Sequence, residues 1–183
     1  MIQYNVHTLA SAPEGSRAAL EKLQQEVGFL PNLAASMAES PTMLQAFTSL
    51  RSICQNGTLT SVERELVAMV TSFENDCAYC MAAHSTFARK AGAADELVGA
   101  LRKGESPTNR RLAALFAFAG QVVRGRGRVS VQAADQLVES GYTPAQALEV
   151  VVGVAFTTLA NQMAHLAHTP VDAVFQAQVW ERP

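Results

Sequence analysis

The sequence predicts an all-α protein, on the basis of its composition and of where its proline and glycine residues lie. The 183-residue chain has 31 alanines but only two isoleucines, and aromatic residues make up 7% of it. This composition favours helices, because strands need β-branched and aromatic side chains to cover a pleated surface. The prolines and glycines mostly lie between periodic segments, beside Ser or Thr residues suited to helix N-caps.

The charge and the cysteine content exclude several classes of protein. The net charge is -2, and the one basic run, residues 124–128, alternates arginine with glycine as a solvated turn does, so we expect no nucleic-acid partner. Three cysteines are too few for a secreted disulfide framework, and the N-terminus lacks the pattern of a signal peptide, which predicts a cytoplasmic location. Residues 150–171 carry no charge, but two amides and two histidines interrupt them, so we expect a buried helix and no membrane partner.

The first helices follow an N-terminal arm that ends near Pro13. One helix is expected over residues 16–27, followed by a turn at residues 28–31 and a short helix. Pro41 is suited to the first turn of a longer helix, which ends near Gly57.

Thr60 begins the next helix. Glu63 lies three residues on, in the capping-box arrangement in which each side chain binds the other's free backbone N–H, so we assign Glu63 to the cap and not to chemistry. The helix ends at Asn75-Asp76, and its apolar stripe has spacings of four and three. The stripe consists of Val62, Leu66, Val70 and Phe73.

The next helix takes Cys77 in its first turn and runs to Ala91, where Gly92 is suited to a left-handed terminator. Thr143-Pro144 and Thr169-Pro170 are each typical of an N-cap followed by the first helical residue. The remaining helices are expected at residues 94–103, 107–123, 130–139 and 143–168, with a final amphipathic piece from Pro170.

Short loops between these helices predict one domain over residues 1–183. Residues 1–13 form the arm of that domain, and residues 41–125 its core with the motif described next. The most apolar helical segment, residues 150–159, is expected at the centre.

One segment carries chemistry. Cys77, Cys80 and His84 are three and four residues apart, so on a helix they line one face, where the two sulfurs can oxidise to a short-loop disulfide. The start of a helix favours thiolate over thiol, and a neighbouring histidine accepts the thiol proton. Glu65 precedes Cys77 by twelve residues, so an antiparallel helix pair with a tight turn brings its carboxylate back toward the cysteines or His84.

Two other interpretations of these residues stay open. A Cys-x-x-Cys pair can be buried without a chemical role. Cys77, Cys80, His84 and a carboxylate are also four ligands of the kind that zinc takes, although no second Cys-x-x-Cys or histidine pair follows at the usual distance. Only His165 and His168 would support a metal site, and we expect none.

The spacing of Glu65, Cys77, Cys80 and His84 resembles the core of the superfamily that comprises AhpD alkylhydroperoxidases and carboxymuconolactone decarboxylases. The similar segments are Arg64-Glu65-Leu66-Val67, Cys77-Ala78-Tyr79-Cys80 and His84-Ser85. The surrounding helices are similar to that family's all-α core over about half of the chain. Residues 28–32, Gly-Phe-Leu-Pro-Asn, are also similar to the N-terminal region of peroxidase-related members.

The resemblance implies a peroxide-reducing thiol enzyme. In the family, the cysteine that matches Cys80 attacks the peroxide and becomes a sulfenic acid, which the cysteine that matches Cys77 resolves to a disulfide. The residues that match Glu65 and His84 take part in a proton relay. The residue that matches Tyr79 contributes a polar group in some members, so Tyr79 is an accessory candidate. Members are commonly trimers or hexamers, and we expect a homo-oligomer, either a dimer, a trimer or a hexamer.

Residue chemistry by itself leaves the attacking sulfur open. The helix dipole favours Cys77, which is nearest the helix start, whereas the one-turn pairing with His84 favours Cys80. We take Cys80, because a general base must lie within hydrogen-bond reach of the proton that it removes.

Three functional hypotheses follow. The leading one is a thiol peroxidase that acts on a small hydroperoxide, needs no cofactor, and is reduced again by a dithiol donor of unknown identity. The second is a carboxymuconolactone-decarboxylase-like enzyme that uses His84 or Glu65 as a base on a small lactone or acid. The third is a zinc-binding or redox-sensing module without turnover.

Three further residues have weaker patterns. His165 and His168 follow Asn161 on one side of a helix, which is more typical of core or pocket-lining residues than of catalysts. We keep His165 as an accessory candidate. Cys54 is expected to be a packed apolar residue near a helix end.

Overall fold

The computed structural model describes residues 3–183. Within that range the chain forms nine α-helices and one 3-10 helix and no β-strand, so the predicted all-α class is confirmed. The 3-10 helix, Ala173–Gln178, comes last. The α-helices are α1 Glu14–Val27, α2 Asn32–Met37, α3 Pro41–Gln55, α4 Ser61–Glu74, α5 Ala78–Lys90, α6 Asp95–Arg102, α7 Arg110–Arg124, α8 Val131–Glu139 and α9 Pro144–Leu166.

Capping side chains determine where several helices begin and end. The Thr60 hydroxyl accepts from the Glu63 N–H, and the Glu63 carboxylate accepts from the Thr60 N–H, which confirms the predicted capping box of α4. Thr143 and Gln146 form the same box at the start of α9. Gly92 has φ 89° just after α5, which confirms the expected left-handed terminator.

Two helices start later than the sequence predicts. The predicted helix from residue 107 begins at Arg110, because the Asn109 side chain accepts from the Leu112 N–H and is the N-cap. Cys77 is the N-cap of α5 and not a residue of its first turn, since the helix begins at Ala78.

The expectation of a helix capped by Thr169-Pro170 is wrong. Residues 169–172 have no regular secondary structure, and only the short 3-10 helix follows. The Thr169 hydroxyl oxygen is buried and has no hydrogen-bond partner among residues 3–183. Tertiary contacts hold this segment instead of helical hydrogen bonds: the Phe175 ring is buried, and the Trp180 indole N–H donates to the Arg102 carbonyl at 2.8 Å.

The central position belongs to α4 and not, as predicted, to the apolar segment 150–159. Residues 66–72 of α4 are all buried, and this helix packs against α5, α6, α7 and α9. The α9 helix packs against α3, α4 and α7, yet it also presents exposed apolar side chains at Leu148, Val151 and Leu166. Its apolar residues do not form a single stripe, so its sequence does not mark which side faces the core. It is also the one helix within residues 3–183 that is long and apolar enough to cross a membrane.

The buried Glu63 side chain connects the start of α4 to the helices that follow. Its Oε1 accepts from the Tyr142 hydroxyl at 2.8 Å and from Arg111 Nε at 3.1 Å. Burial raises the pKa of Glu63, but hydrogen bonds from Thr60, Tyr142 and Arg111 outweigh it and bring the pKa below its ordinary value. Glu63 therefore caps α4 and also links it to Arg111 and Tyr142.

A three-residue turn joins α4 to α5 and places the motif. Asp76 adopts the left-handed conformation with φ 54°. Its N–H donates to the Phe73 carbonyl at 3.1 Å, and the Cys77 N–H donates to the Ser72 carbonyl at 2.9 Å. This is the Schellman arrangement, with an aspartate where glycine is usual. As a result, the residue that completes the end of α4 is also the N-cap of α5.

Candidate active site

A cavity of about 470 Å³ lies between α3, α4, α5 and α9. Most of its wall is apolar, which suits an uncharged organic molecule. Several polar side chains of α4 and α5 line this cavity, and they include Glu65, Tyr79, Cys80 and His84. The apolar side chains include Leu33, Phe47, Phe87, Phe156 and Phe175.

The two motif cysteines differ in their access to the cavity. Cys80 is 2% exposed and lines the cavity, whereas Cys77 has no exposed surface and is not a lining residue. Both are free thiols in this structure. A molecule in the cavity therefore meets Cys80 first, with Cys77 behind it.

The pKa values of the two motif thiols are shifted in opposite directions. A hydrogen bond from the Cys80 thiol is the largest cause that lowers the pKa of Cys77, from an ordinary 9.0 to about 6. Burial opposes this shift, and the Cys80 backbone N–H, His165 and Asn161 add to it. Hydrogen bonding to Cys77 and burial raise the pKa of Cys80. Negative charge is thus concentrated on the inner sulfur, while the outer sulfur keeps the shared proton.

Glu65 and His84 form a direct pair. The Glu65 Oε2 atom lies 2.7 Å from Nδ1 of His84, and the two side chains are 21% and 16% exposed. Because a carboxylate only accepts, Nδ1 carries the hydrogen and Nε2 of the neutral ring is the acceptor. The structure therefore brings together the carboxylate, the imidazole and the Cys80 thiol around one cavity.

Tyr79 lies between the two cysteines in sequence, but its hydroxyl is engaged elsewhere. It donates to Asp172 Oδ2 at 2.6 Å and accepts from the Leu33 N–H at 3.3 Å. The other oxygen of Asp172 accepts from the Asn32 N–H at 3.0 Å. Burial is the first cause, and the Asp172 carboxylate the next, that raise the pKa of Tyr79. Tyr79 thus anchors α5 to α2 and to the C-terminal segment.

Asn161 is a site residue that sequence reasoning missed. It is 1% exposed, accepts from Asn75 Nδ2 at 2.9 Å and donates to the Ser72 hydroxyl at 3.3 Å. Its amide also lowers the pKa of both motif cysteines. The only available signal was that Asn161 is one of two adjacent amides in an apolar helix, and helical periodicity does not assign a role to such a residue.

Known proteins share the sequence pattern and the fold of this chain. Residues 41–120, which contain the whole motif, match the sequence model of the carboxymuconolactone decarboxylase family. A crystal structure described as an alkylhydroperoxidase AhpD core, an uncharacterized peroxidase-related protein from Ralstonia eutropha JMP134, has a TM-score of 0.81 and 29% identity over 94% of this chain and 93% of that one. The chain is a member of the AhpD and carboxymuconolactone decarboxylase superfamily.

Two further solved structures share the fold of this superfamily member. The uncharacterized peroxidase-related protein from Silicibacter sp. TM1040 has a TM-score of 0.79 and 22% identity, over 96% of this chain and 95% of that one. The debrominase Bmp8, in a complex with 2,3,4-tribromopyrrole, has a TM-score of 0.76 and 20% identity, over 90% of this chain and 89% of that one. No curated protein sequence matches the chain. The fold therefore serves more than one chemistry.

The other candidate residues, which lie outside the group of Glu65, Tyr79, Cys80 and His84, are His165, His168 and Cys54. His165 is exposed, does not line the cavity, and its Nε2 lies 3.2 Å from the Asp76 carbonyl oxygen. His168 is exposed and has φ 47° just after α9. Cys54 is half-buried and lines the cavity from the end of α3, so it is less enclosed than we expected. Burial raises its pKa.

Within residues 3–183, no group of three or more His, Cys, Asp or Glu side chains is arranged to hold a metal ion.

Proposed function

We propose that the protein is a thiol peroxidase that reduces organic hydroperoxides, with Cys80 as the attacking sulfur and Cys77 as the resolving sulfur. The observation that carries this proposal is that Cys80 and the Glu65–His84 pair line the same cavity, while Cys77 is fully enclosed and does not line it. A buried dithiol next to a substrate-sized cavity is suited to redox chemistry, and the superfamily includes peroxidase-related proteins.

The first step forms a sulfenic acid. His84 Nε2 accepts the Cys80 proton, and the Cys80 thiolate attacks the terminal oxygen of the hydroperoxide. The O–O bond breaks, the sulfur becomes S–OH, and the leaving alkoxide takes the proton from the imidazolium to become an alcohol. Glu65 stabilises the imidazolium while it carries the charge.

The second step forms the disulfide. The Cys77 thiolate attacks the Cys80 sulfenic sulfur, and hydroxide leaves as water by taking up from solvent the proton that Cys77 released when it ionised. The low pKa of Cys77 supports this role, because a resolving thiol must be ionised when it attacks. A dithiol donor then reduces the disulfide and is itself oxidised. The sum is one hydroperoxide and one dithiol converted to one alcohol, one water and one donor disulfide.

The lower thiol pKa favours Cys77 as the attacking sulfur, whereas access from the cavity favours Cys80. We give access the greater weight. The lowered pKa favours Cys77 as a nucleophile, but Cys77 has no surface on the cavity. Of the two motif sulfurs, a peroxide carried by an organic group reaches only Cys80, whose proton has an acceptor one helical turn away in His84.

The test is mass spectrometry of the reduced protein after one equivalent of cumene hydroperoxide. We expect a Cys77–Cys80 disulfide in a Cys54→Ser background, and a sulfenic acid on Cys80 in the Cys77→Ser variant. A sulfenic acid on Cys77 in the Cys80→Ser variant, with none on Cys80 in the Cys77→Ser variant, would reverse the assignment. No oxidation of either motif sulfur would refute the peroxidase.

The decarboxylase-like alternative uses His84 or Glu65 as a base and neither sulfur. It therefore predicts that turnover of a lactone or small acid survives in Cys77→Ser and Cys80→Ser variants. A peroxidase loses multiple turnover in both.

We also propose that the protein is cytoplasmic and self-associates as a dimer, trimer or hexamer. Exposed apolar side chains support self-association; they include Leu148, Val151 and Leu166 on α9 and Ile53 on α3. Light scattering coupled to size-exclusion chromatography measures the mass directly. A monomer at all concentrations would contradict the proposal.

A further inference from the structure

Four of the chain's eight phenylalanines line the cavity, and each comes from a different element. Phe47 lies on α3, Phe87 on α5, Phe156 on α9 and Phe175 in the 3-10 helix. The first three are half-buried, whereas Phe175 is 1% exposed. Three rings from three helices therefore keep surface that a molecule in the cavity can contact.

Phe87 lies on the face of α5 that carries the proposed chemistry. Cys80, His84 and Phe87 are spaced by four and three residues, so they form one stripe, and all three line the cavity. The Phe87 ring packs edge to face against the imidazole of His84, with the two ring centroids 6.1 Å apart. An organic group whose reacting end reaches Cys80 and His84 therefore lies beside Phe87.

Phe175 holds the Phe87 ring in this position. The two ring centroids are 5.4 Å apart and the ring planes are inclined at 83°. Phe175 also packs edge to face against Tyr79 at 6.2 Å and against Phe29 at 5.6 Å. Because protein rings enclose Phe175, it leaves little surface for a ligand. It supports Phe87, and Phe87 presents the aromatic surface.

A second aromatic pair comes from the helices on other sides of the cavity. The rings of Phe47 and Phe156 lie 5.2 Å apart, with their planes inclined at 38°. Aromatic rings attract one another at centroid separations of about 4.5 to 7 Å, beyond the gain from buried area alone. A ring bound between the two pairs gains this attraction, and a saturated group of the same size does not.

The spacing along α5 sets the distance between such a ring and the peroxide. Phe87 follows Cys80 by seven residues, which is a rise of about 10 Å along the helix. A substrate ring that contacts Phe87 on its Cys80 side, at a centroid separation of about 5 Å, leaves roughly 5 Å to the sulfur. A peroxide group joined to the ring through a single carbon spans this gap.

We propose that the cavity takes uncharged aromatic hydroperoxides in which a single carbon joins the ring to the peroxide, and that Phe87 is the residue that selects them. The inference rests on the proposed function, whose substrate class it narrows. An apolar cavity of roughly 150 Å³ holds a benzene molecule. The 470 Å³ observed therefore admits a one-ring substrate and further substituents on its ring.

The first experiment measures binding without turnover. Cumyl alcohol and its ring-saturated cyclohexyl analogue differ in aromaticity and little in size, and neither carries a peroxide. Isothermal titration calorimetry of the reduced protein should show that cumyl alcohol binds about fivefold more tightly, the ratio expected for one aromatic contact. Its ring protons should give nuclear Overhauser contacts to the Phe87 ring. Equal affinities, or no such contacts, would overturn the inference without any variant.

The second experiment removes the ring of Phe87 and keeps an apolar side chain. In Phe87→Leu, kcat/KM for cumene hydroperoxide should fall about fivefold relative to that for its cyclohexyl analogue. The ratio of the two values cancels a general loss of folded protein or of base strength. Phe116→Leu is the matched control, because Phe116 is half-buried on α7 and does not line the cavity. An unchanged ratio in Phe87→Leu, or an equal change in Phe116→Leu, would refute the role of Phe87.

The two experiments separate this inference from the peroxidase itself. Selective binding of cumyl alcohol to a protein that turns over no hydroperoxide would support the aromatic site and refute the peroxidase. Equal turnover of cumene hydroperoxide and its cyclohexyl analogue would support the peroxidase and refute aromatic selection.

Discussion

Glu65 and His84 are 19 residues apart in sequence, yet Oε2 of the first lies 2.7 Å from Nδ1 of the second. The contact crosses the α4–α5 hairpin, so it forms only when the turn at residues 75–77 holds the two helices in register. It also fixes the imidazole, since the carboxylate binds the Nδ1 hydrogen and leaves Nε2 as the proton acceptor. The pair therefore provides both the base of the proposed reaction and the orientation of that base.

The Glu65→Gln variant should lower kcat/KM for cumene hydroperoxide by about 10²-fold, because an amide cannot stabilise the imidazolium. Steady-state turnover with an excess of dithiol measures the loss. Glu74→Gln is the matched control, since Glu74 lies on the same helix and pairs with Arg124 outside the cavity. Equal losses in both variants would show that the effect comes from α4 as a whole and not from the relay.

The stability of the reduced protein should rise with pH between about 6 and 9.0. The folded protein releases the Cys77 proton at the lower value, whereas the unfolded chain holds it up to the ordinary value. In this window the unfolded state therefore binds more protons, so the free energy of unfolding increases with pH and falls again on acidification. Urea unfolding at a series of pH values measures the slope. In the disulfide form neither Cys77 nor Cys80 has a thiol to ionise, and the same slope in that form would contradict the assignment.

Asp172→Ala should destabilise the protein by about 2 to 4 kcal/mol, because it leaves the buried Tyr79 hydroxyl and the half-buried Asn32 N–H without their acceptor. Tyr79→Phe should cost less, about 1 to 2 kcal/mol, and should keep peroxide turnover, since the hydroxyl binds Asp172 and not a sulfur. Urea unfolding and single-turnover kinetics check the two parts. A loss of the chemical step in a stable Tyr79→Phe protein would return Tyr79 to the proton relay.

Glu63→Ala should destabilise the protein by about 2 to 3 kcal/mol, since the Tyr142 hydroxyl and the capped Thr60 N–H both lose their acceptor. Most of this cost should come from these two groups, because Arg111 is 41% exposed and its ion pair is weakened by solvent. Thermal unfolding measures the change, with Tyr142→Phe as the smaller, single-bond comparison. Turnover per folded molecule should be unaffected, because Glu63 does not line the cavity.

Much of the fold follows from local signals in the sequence. The cap residues Thr60 and Thr143 act within three residues of the helices they start, so a single sequence is enough to predict these helices. The Glu65–His84 contact could also be predicted from the sequence, because helical periodicity and one tight turn together determine which residues face each other across a hairpin.

The parts that sequence reasoning missed depend on contacts between distant segments. Asn161 contacts residues on α4 and in the α4–α5 turn, and Asp172 contacts Tyr79 from 93 positions away. No periodicity or spacing marks such a pair. The central position of α4 was missed for a similar reason. The α9 helix is the more apolar one, but composition does not show that α4 is the helix that its neighbours cover more completely.

The Schellman turn at Asp76 fixes the number of residues between α4 and α5, because Cys77 completes the end of α4 and is also the N-cap of α5. Inserting or deleting a single residue there would rotate α5 by about 100° around its axis. Both sulfurs and the imidazole would swing away from the cavity together. The length of this connection is therefore more restrictive than the identity of any side chain in it.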